Sequence, residues 1–350
     1  MASMSFTKGM GIVLRIGKNI PHKKIQISEY TLPVSKTKSF RSRIYSPAPE
    51  KNPELPVIYF QHGMGIQGID DPRLVNMAQS LASAGTVVIT PELPEIKNLE
   101  ITHKSVDNIE SVFRSLLDGG MGYEVPSIGY CSASFSVGMG LVAINRIDSP
   151  KIKGVFGIGG YCNFEKTIPY VLSNFDIDNY ASLVYFLNAH KRLDSKFLKE
   201  KDRIFRELII DNGLLRTGTS AKGPQLISQA PKAVQTYFQN VLTSHAFRME
   251  FAKRIAKVTK PMEITRVSPV FHLENINCTV CLIHGIDDPV ISPEESRNLH
   301  GELQKRNKDS HLLVSTVLTH GDTLPIYKQL AEFPKVSSLF ARFIRSILGP

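Results

Sequence analysis

Hydrophobic positions along the chain alternate between two patterns, short apolar runs typical of strands and a three-to-four-residue spacing typical of helices. Short apolar runs that begin at Val57, Thr86, Ile128 and Val155 have the length and the β-branched content of buried strands. Helical patterns lie between them, as at residues 72–84, where apolar side chains recur every three or four positions. The other predicted elements are strands at residues 25–32, 38–45, 280–283 and 311–318 and helices at 102–117, 135–145, from 293 onward, and at 336–348. Strands that alternate with helices predict an α/β fold with a mainly parallel sheet covered by helices on both faces.

Residues 161–266 interrupt this alternation. Their patterns are helical, as at residues 180–193 and 233–255, and strand-like runs return only afterwards. We therefore predict one α/β core, made of residues 1–160 and 267–350, whose first fifty or so residues supply the leading strands. The helical segment between the two parts is predicted to be an inserted cap.

The net charge of +10 is unevenly distributed. Residues 1–52 hold ten Lys or Arg against two acidic residues, and residues 166–265 hold sixteen against nine. A basic face can bind nucleic acid, but no nucleic-acid motif and no interleaved aromatic residues accompany the charge, so no such partner is expected. The basic segments are interpreted as solvated surface, with weak association with an anionic membrane surface as the further possibility.

Several classes of protein are not indicated. No apolar run approaches the roughly 20 residues that span a bilayer, and the basic first 24 residues do not resemble a signal peptide. Cys278 and Cys281 have the spacing of a zinc or redox motif, but they begin a strand-like run and lack a second ligand pair. We expect a cytoplasmic protein with no metal and no cofactor, since nucleotide and HExxH motifs are missing as well.

The sequence IGYCSASFSVG at residues 128–138 is the strongest candidate for catalysis. A nucleophile on a sharp strand-to-helix turn needs small residues two positions before and after it, because larger side chains would clash there. Ser134 meets this condition with Ser132 and Ser136, and a strand precedes it and a helix follows. Ser132 itself would place the bulky Tyr130 at a position that requires a small residue.

Cys131 is an alternative nucleophile. Gly129 and Ala133 flank it at the same offsets, and a thiolate is intrinsically more nucleophilic than a hydroxyl. Its choice would leave only two residues between Pro126 and Gly129 for the strand. A non-catalytic turn is a third reading of the same segment.

Three further motifs follow strands in the order expected of one enzyme class. HGMG occupies residues 62–65, HGIDDPV residues 284–290 and LTHGD residues 318–322. Over about residues 55–350 the chain resembles the α/β-hydrolase superfamily, and most nearly the esterases and lipases with a helical cap. Its turn departs from the common GxSxG pattern because serines stand where glycines are usual.

This resemblance implies roles for the motif residues. The backbone N–H groups of Met64 and Phe135 would form the oxyanion hole, and Asp288 rather than Asp287 would be the acid that orients the imidazole. His320, in a glycine turn beyond the last strand, would be the general base. Serine, then aspartate, then histidine is the chain order of the superfamily.

These residues predict a serine hydrolase that cleaves a carboxylic ester through an acyl-enzyme. The substrate is expected to be a small-molecule ester with an apolar acyl or alcohol part. Aromatic residues near the start of the cap are expected to line the cleft or to form the cap's own core; they are Tyr161, Phe164, Tyr170, Phe175, Tyr185 and Phe186. The alternatives are a cysteine-dependent enzyme resembling dienelactone hydrolases, with Cys131 as nucleophile, and a non-catalytic binding protein.

Overall fold

One mainly parallel sheet organises the molecule. The computed structural model describes residues 2–47, 54–215, 221–319 and 331–349. The strands in these ranges are β1 (Gln26–Pro33), β2 (Ser39–Ser46), β3 (Val57–Gln61), β4 (Val87–Pro91), β5 (Ile128–Ala133), β6 (Ile152–Ile158), β7 (Thr279–Gly285) and β8 (Ser310–Ser315). They form an eight-stranded sheet in the order β1-β2-β4-β3-β5-β6-β7-β8. Pairing is antiparallel from β1 to β4 and parallel from β4 to β8, which confirms the predicted fold class.

Helices cover both faces of the sheet, as the buried character of its strands requires. The helices outside the segment between β6 and β7 are α1 (Ala2–Ile16), α2 (Pro72–Ala82), α3 (Pro94–Lys97), α4 (Lys104–Leu117), α5 (Phe135–Ile147), α13 (Pro293–Lys305) and α14 (Phe333–Leu348). Apolar residues of α4, α5 and α13 form one core with the sheet, and those of α1, α2 and α14 form a second core. Every residue of β3 and β4 is buried, as in a strand that is covered on both faces.

Helix α1 was not predicted from the sequence. Its segment contains Gly9 and Gly11 and basic residues, which weaken the helical pattern. Tertiary packing provides the stabilisation instead, since Ile12 is fully buried and Gly9 lies directly against the backbone of Ser337 and Ala341 in α14. A side chain at Gly9 would collide with α14, so the glycine that lowers helix propensity also permits the close approach of the two helices.

The chain between β6 and β7 is helical, as predicted. Its helices are α6 (Phe164–Ser173), α7 (Tyr180–Ala189), α8 (Leu198–Leu215), α9 (Gly223–Gln229), α10 (Lys232–Thr243), α11 (His245–Val258) and α12 (Pro261–Thr265). They share a hydrophobic core that includes Phe186, Phe205 and Phe238. The helix predicted over residues 233–255 is divided in two, because the extended backbone of Ser244 ends α10 and its hydroxyl accepts the N–H of Phe247 to cap α11.

Strand β8 is shorter than predicted. The sequence indicates a strand as far as residue 318, but the ladder ends at Ser315. Beyond it, the carboxylate of Glu332 accepts the N–H of Thr316 at 3.1 Å, and the hydroxyl of Ser315 accepts that of Val317 at 3.1 Å. Side chains thus satisfy amide groups that a longer strand would have paired with a neighbour.

The carboxyl ends of β3 and β5 to β8 lie at one edge of the sheet, because these strands are parallel. The segments that follow β3, β5, β7 and β8 carry the four sequence motifs. In open α/β sheets this edge is where ligands bind. Among the described helices, none combines the length and the apolar character needed to cross a membrane.

Candidate active site

Ser134 stands at the turn between β5 and α5 in a strained conformation. Its backbone has φ 57° and ψ −129°, a region that residues with a Cβ rarely adopt. The N–H of Ser134 donates to the carbonyl of Ile158 at 2.7 Å, which ties the turn to the end of β6. Its side chain does not cap α5 and is partly exposed. In this conformation the hydroxyl of Ser134 does not bind the free N–H groups of α5, as the hydroxyl of a helix N-cap usually does.

Neighbouring positions explain why the turn needs small residues. A Cβ at Gly157 or at Gly160 would lie within 2.7 Å of the Val137 side chain, and one at Gly138 would meet the ring of Tyr161. Ser132, two positions before Ser134, is fully buried and pairs with Gln61 and Gly157 on the adjacent strands. The close packing around the turn therefore extends to the strands on both sides.

Cys131 occupies a different environment from Ser134. It lies within β5, its side chain is fully buried in the core formed with α14, and burial raises the pKa of its thiol far above the usual value. A nucleophilic cysteine needs an accessible thiolate. The structure therefore argues against the alternative in which Cys131 attacks the substrate.

His62 holds the loop that would supply the first oxyanion-hole amide. Its Nε2 accepts the N–H of Leu93 at 3.1 Å, so the proton must be on Nδ1, which donates to the Gly63 carbonyl at 2.9 Å. In a trans peptide the C=O and N–H point in opposite directions. By fixing the Gly63 carbonyl, the ring therefore fixes the direction of the Met64 N–H. Burial lowers the pKa of His62 to about 4, which keeps the ring neutral, as this arrangement requires.

Ser136 joins this loop to the turn. Its buried hydroxyl donates to the His62 carbonyl at 2.8 Å, and the amide of Gln61 approaches the same oxygen at 3.3 Å. The contact crosses from α5 to the end of β3. The common GxSxG pattern of the α/β-hydrolase superfamily has a glycine at this position, and a glycine could not make this bond.

The acid turn distinguishes its two aspartates. Asp287 is exposed, whereas Asp288 is buried and its Oδ1 accepts the N–H groups of Val290 at 2.8 Å and Ile291 at 3.0 Å. Two backbone donors stabilise the ionised form of a carboxylate. Of the two candidates, Asp288 is the one with a fixed orientation.

His284 lies behind this carboxylate in the core. Its Nε2 is 2.9 Å from the carbonyl of Ile291 and 3.4 Å from Oδ2 of Asp288, and its Nδ1 is 2.6 Å from the hydroxyl of Ser296. The carbonyl can only accept, so Nε2 carries a proton. That N–H also faces the acid, which adds a partial positive charge on its buried side.

His320, the predicted base, lies outside the described residues. The chain that leads to it is described as far as Thr319, and it runs directly against the end of β7. A Cβ at Gly285 would collide with the carbonyl of Leu318, and the N–H of Ile286 donates to Ser315 at 2.9 Å. The segment before His320 therefore packs against the strand end that leads to Asp288.

Five of the six predicted cap aromatics divide between two cores, and the sixth, Tyr170, belongs to neither. Phe175, Tyr185 and Phe186 belong to the core of the inserted helices, which is the second of the two expected roles. Tyr161 and Phe164 instead pack with Phe135, at ring-centroid distances of 4.8 and 5.0 Å. The side chain beside the proposed oxyanion donor is thereby held by the first residues of the inserted segment.

Comparisons with known proteins agree with this architecture. The esterase from the archaeon Pyrobaculum calidifontis is similar with a TM-score of 0.53 and 16% identity, over 98% of this chain and 91% of that one. A Pyrococcus horikoshii acylaminoacyl peptidase is similar with a TM-score of 0.50 and 14% identity over 95% of this chain. A puromycin-hydrolyzing peptidase from Mycobacterium tuberculosis matches with a TM-score of 0.50 and 15% identity over 92% of this chain. The chain has the α/β-hydrolase fold.

The same comparisons include two kinds of hydrolase. The chain spans only 43% of the acylaminoacyl peptidase and 39% of the puromycin-hydrolyzing peptidase. A model of the prolyl oligopeptidase family matches residues 226–347, about a third of the chain, and this segment includes both Asp288 and His320. A comparison with curated proteins gives no match.

The roles of several groups that support the candidate site were not found from the sequence. His62, Ser136 and His284 lie within the motifs, but they act through hydrogen bonds to backbone or to buried side chains, which the motifs do not reveal. In the described part of the chain, no group of three or more His, Cys, Asp or Glu residues is placed to hold a metal ion. Cys278 and Cys281 are buried and carry free thiols.

Proposed function

We propose that this protein is a serine hydrolase that cleaves carboxylic esters through an acyl-enzyme intermediate. The observation that carries the proposal is the strained conformation of Ser134, whose partly exposed side chain stands where β5 turns into α5. A backbone held in such a region costs free energy and persists where the surrounding structure enforces it, often at active sites. The strain supports a catalytic turn over a degenerate one.

The reaction follows from the positions around Ser134. His320 removes the hydroxyl proton while Oγ bonds to the ester carbonyl carbon, whose oxygen takes up the negative charge. The N–H groups of Met64 and Phe135 stabilise that charge at the positive end of α5. The proton then passes from His320 to the alcohol as it leaves, and water releases the acyl group by the same route in reverse. Asp288 holds the imidazole and stabilises its charged form.

The space for the acyl part is proposed to be apolar. Met64, Ile101 and Ile168 are partly buried, and each packs against both the sheet core and the core of the inserted helices. Met64 belongs to the proposed oxyanion loop itself. Apolar side chains at this junction favour a substrate with a hydrophobic acyl or alcohol group.

Cleavage of a peptide bond is the second candidate. The match of residues 226–347 to the prolyl oligopeptidase family favours it, because this segment contains the proposed acid and base. The Pyrobaculum protein, which this chain matches over nearly the whole of both lengths, is described as an esterase and favours the first. Both reactions would use the same residues.

Two substrates with one acyl group distinguish these candidates. We expect turnover of the p-nitrophenyl ester of N-acetylphenylalanine and no detectable turnover of the corresponding p-nitroanilide. Ser134→Ala should lower ester turnover by about 10⁴-fold or more, while Cys131→Ala should retain most of it. Comparable turnover of the anilide would favour a peptidase, and full activity of Ser134→Ala would contradict the mechanism.

A further inference from the structure

Two tyrosines of the inserted helices reach the backbone of the proposed catalytic loops. The hydroxyl of Tyr180, at the start of α7, donates to the carbonyl of Met64 at 2.9 Å. The hydroxyl of Tyr170, in α6, donates to the carbonyl of Asp288 at 2.7 Å. One helix pair thus contacts both the oxyanion loop and the acid turn, at the two residues to which roles are assigned.

The contact at Met64 completes the restraint of the oxyanion loop. Three successive carbonyls of the loop accept side-chain bonds: that of His62 from Ser136 in α5, that of Gly63 from the His62 ring within the loop, and that of Met64 from Tyr180 in α7. The first two contacts come from α5 and from the loop itself. Tyr180 alone among these donors belongs to the inserted helices, so the last peptide of the loop depends on their position.

The contact at Asp288 acts on the other side of the site. The carboxylate is held by the N–H groups of Val290 and Ile291, which are part of the same turn and move with it. Ile286 and Asp287, just before it, are exposed. The Tyr170 hydroxyl, by contrast, restrains this turn from a separate element, α6.

The inserted segment is also fixed where it leaves and re-enters the sheet. Glu295 accepts the N–H groups of Cys162 and Asn163 at 3.0 and 2.9 Å, and Phe164 donates its N–H to the hydroxyl of Ser268 at 3.0 Å. The two ends of the segment are thus joined beside one another. These bonds fix the ends of the inserted segment to the sheet. The tyrosine hydroxyls then connect α6 and α7 to the two loops.

We propose that Tyr170 and Tyr180 are positioning residues through which the inserted helices hold the acid turn and the oxyanion loop in their catalytic arrangement. The inference rests on the proposed function, because it assigns the loops the roles given there. Tyr180 acts on the stabilisation of the oxyanion, and Tyr170 acts on the orientation of the imidazole. The inserted helices therefore contribute to the rate as well as covering the cleft.

Tyrosine-to-phenylalanine variants test each hydroxyl separately. Tyr180→Phe should lower kcat by about three- to tenfold with little change in KM, the effect of losing one hydrogen bond that matters mainly in the transition state. Tyr170→Phe should lower kcat similarly and also shift the single ionisation of the pH–rate profile, since it loosens the turn that carries the proposed acid. Tyr185→Phe is the matched control, because Tyr185 lies in α7 within the helical core and should leave both quantities unchanged.

Amide hydrogen exchange gives a readout that does not depend on turnover. Faster exchange in a peptide covering residues 62–66 for Tyr180→Phe, and in one covering residues 286–291 for Tyr170→Phe, supports the inference when the kinetic changes accompany it. Unchanged kcat in both variants of an active enzyme overturns it, even if their thermal stability falls. If the wild type turns over no acyl substrate, the proposed function fails, and unchanged exchange in both loops would then overturn the tyrosine contacts as well.

Discussion

At the scale of single residues, the proposed chemistry depends on conformations that neighbouring groups impose. Ser134 adopts a positive φ although it is not glycine, and Asp288 is buried although it is a carboxylate. The strained backbone of Ser134 and the burial of a carboxylate at Asp288 each cost free energy unless neighbouring groups compensate. The bond from Ser134 N–H to Ile158 and the two amides that bind Asp288 offset that cost locally.

Asp288→Asn should lower ester turnover by about three to four orders of magnitude, because the amide removes the charge that orients and stabilises the imidazole. Asp287→Asn, an exposed neighbour of the same size, is the control and should have little effect. In the wild type, kcat/KM should rise with pH through one ionisation at about 6.5 or somewhat above, since the base must be neutral. A large loss in Asp287→Asn with full activity in Asp288→Asn would assign the acid to the other residue.

His62 should make stability depend on pH. Its pKa is lowered to about 4 in the folded protein, whereas an unfolded histidine titrates near 6.5, so the unfolded state binds more protons between these values. The stability contributed by the neutral ring is complete above about pH 6.5 and is lost as pH falls towards 4, by about 3 kcal/mol in all. Urea unfolding of the wild type and His62→Asn across this range measures the effect. A stability difference between them that stays constant with pH would contradict the neutral tautomer.

At the scale of elements, short side-chain contacts connect structures that are distant in sequence. Ser136 in α5 and Tyr180 in α7 both bind the loop after β3, and Tyr170 in α6 binds the turn after β7. The helices and strands set the approximate position of each loop. These bonds set its final orientation, which decides the direction of an N–H group.

The serines of the turn should differ in their contribution to stability. Ser136→Ala should lower the free energy of unfolding by about 1 kcal/mol and reduce kcat, because it removes a donor from the buried His62 carbonyl. Ser132→Ala is the matched comparison, since the buried hydroxyl of Ser132 donates to no backbone carbonyl within the described ranges. We expect its stability in urea to be unchanged or higher. A larger loss in Ser132→Ala than in Ser136→Ala would show that the tether is misassigned.

Periodicity predicted the elements better than it predicted their contacts. The strands and helices predicted from Val57 to Ile158 and the final helix agree with the structure to within a few residues, because buried faces repeat regularly along the chain, whereas the four-residue α3 was not predicted. Helix α1 and the break at Ser244 did not follow from periodicity, since packing against α14 decides the first and a single cap decides the second. The motifs located the loops of the site, but the contacts of Tyr170 and Tyr180 could not be predicted because each joins residues more than a hundred positions apart in sequence.

At the scale of the whole molecule, the α/β core and the inserted helices meet at the carboxyl edge of the sheet. The sheet and its flanking helices have cores on both faces, and the inserted helices have a third. Tyr161 donates to the carbonyl of Val267 at 2.6 Å, which joins the two ends of the inserted segment directly. This arrangement favours the hypothesis that the inserted helices are a separate cap. We expect the sheet to fold without them.

Replacement of residues 165–266 by a short glycine-rich linker tests the cap. The shortened protein should unfold cooperatively, turn over esters more slowly because both tyrosine contacts are lost, and accept a wider range of acyl groups. Circular dichroism in urea and a panel of p-nitrophenyl esters provide the measurements. Loss of cooperative unfolding would show that these helices are part of the main core.

The central claim is that Ser134 is the nucleophile of this fold, and the most direct measurement is covalent labelling. The protein is treated with a fluorophosphonate, digested, and the modified peptide is sequenced by mass spectrometry. The account predicts one adduct, on Ser134, which disappears in Ser134→Ala and is greatly slowed in Asp288→Asn. No adduct, or an adduct on another residue with Ser134 unmodified, would contradict it.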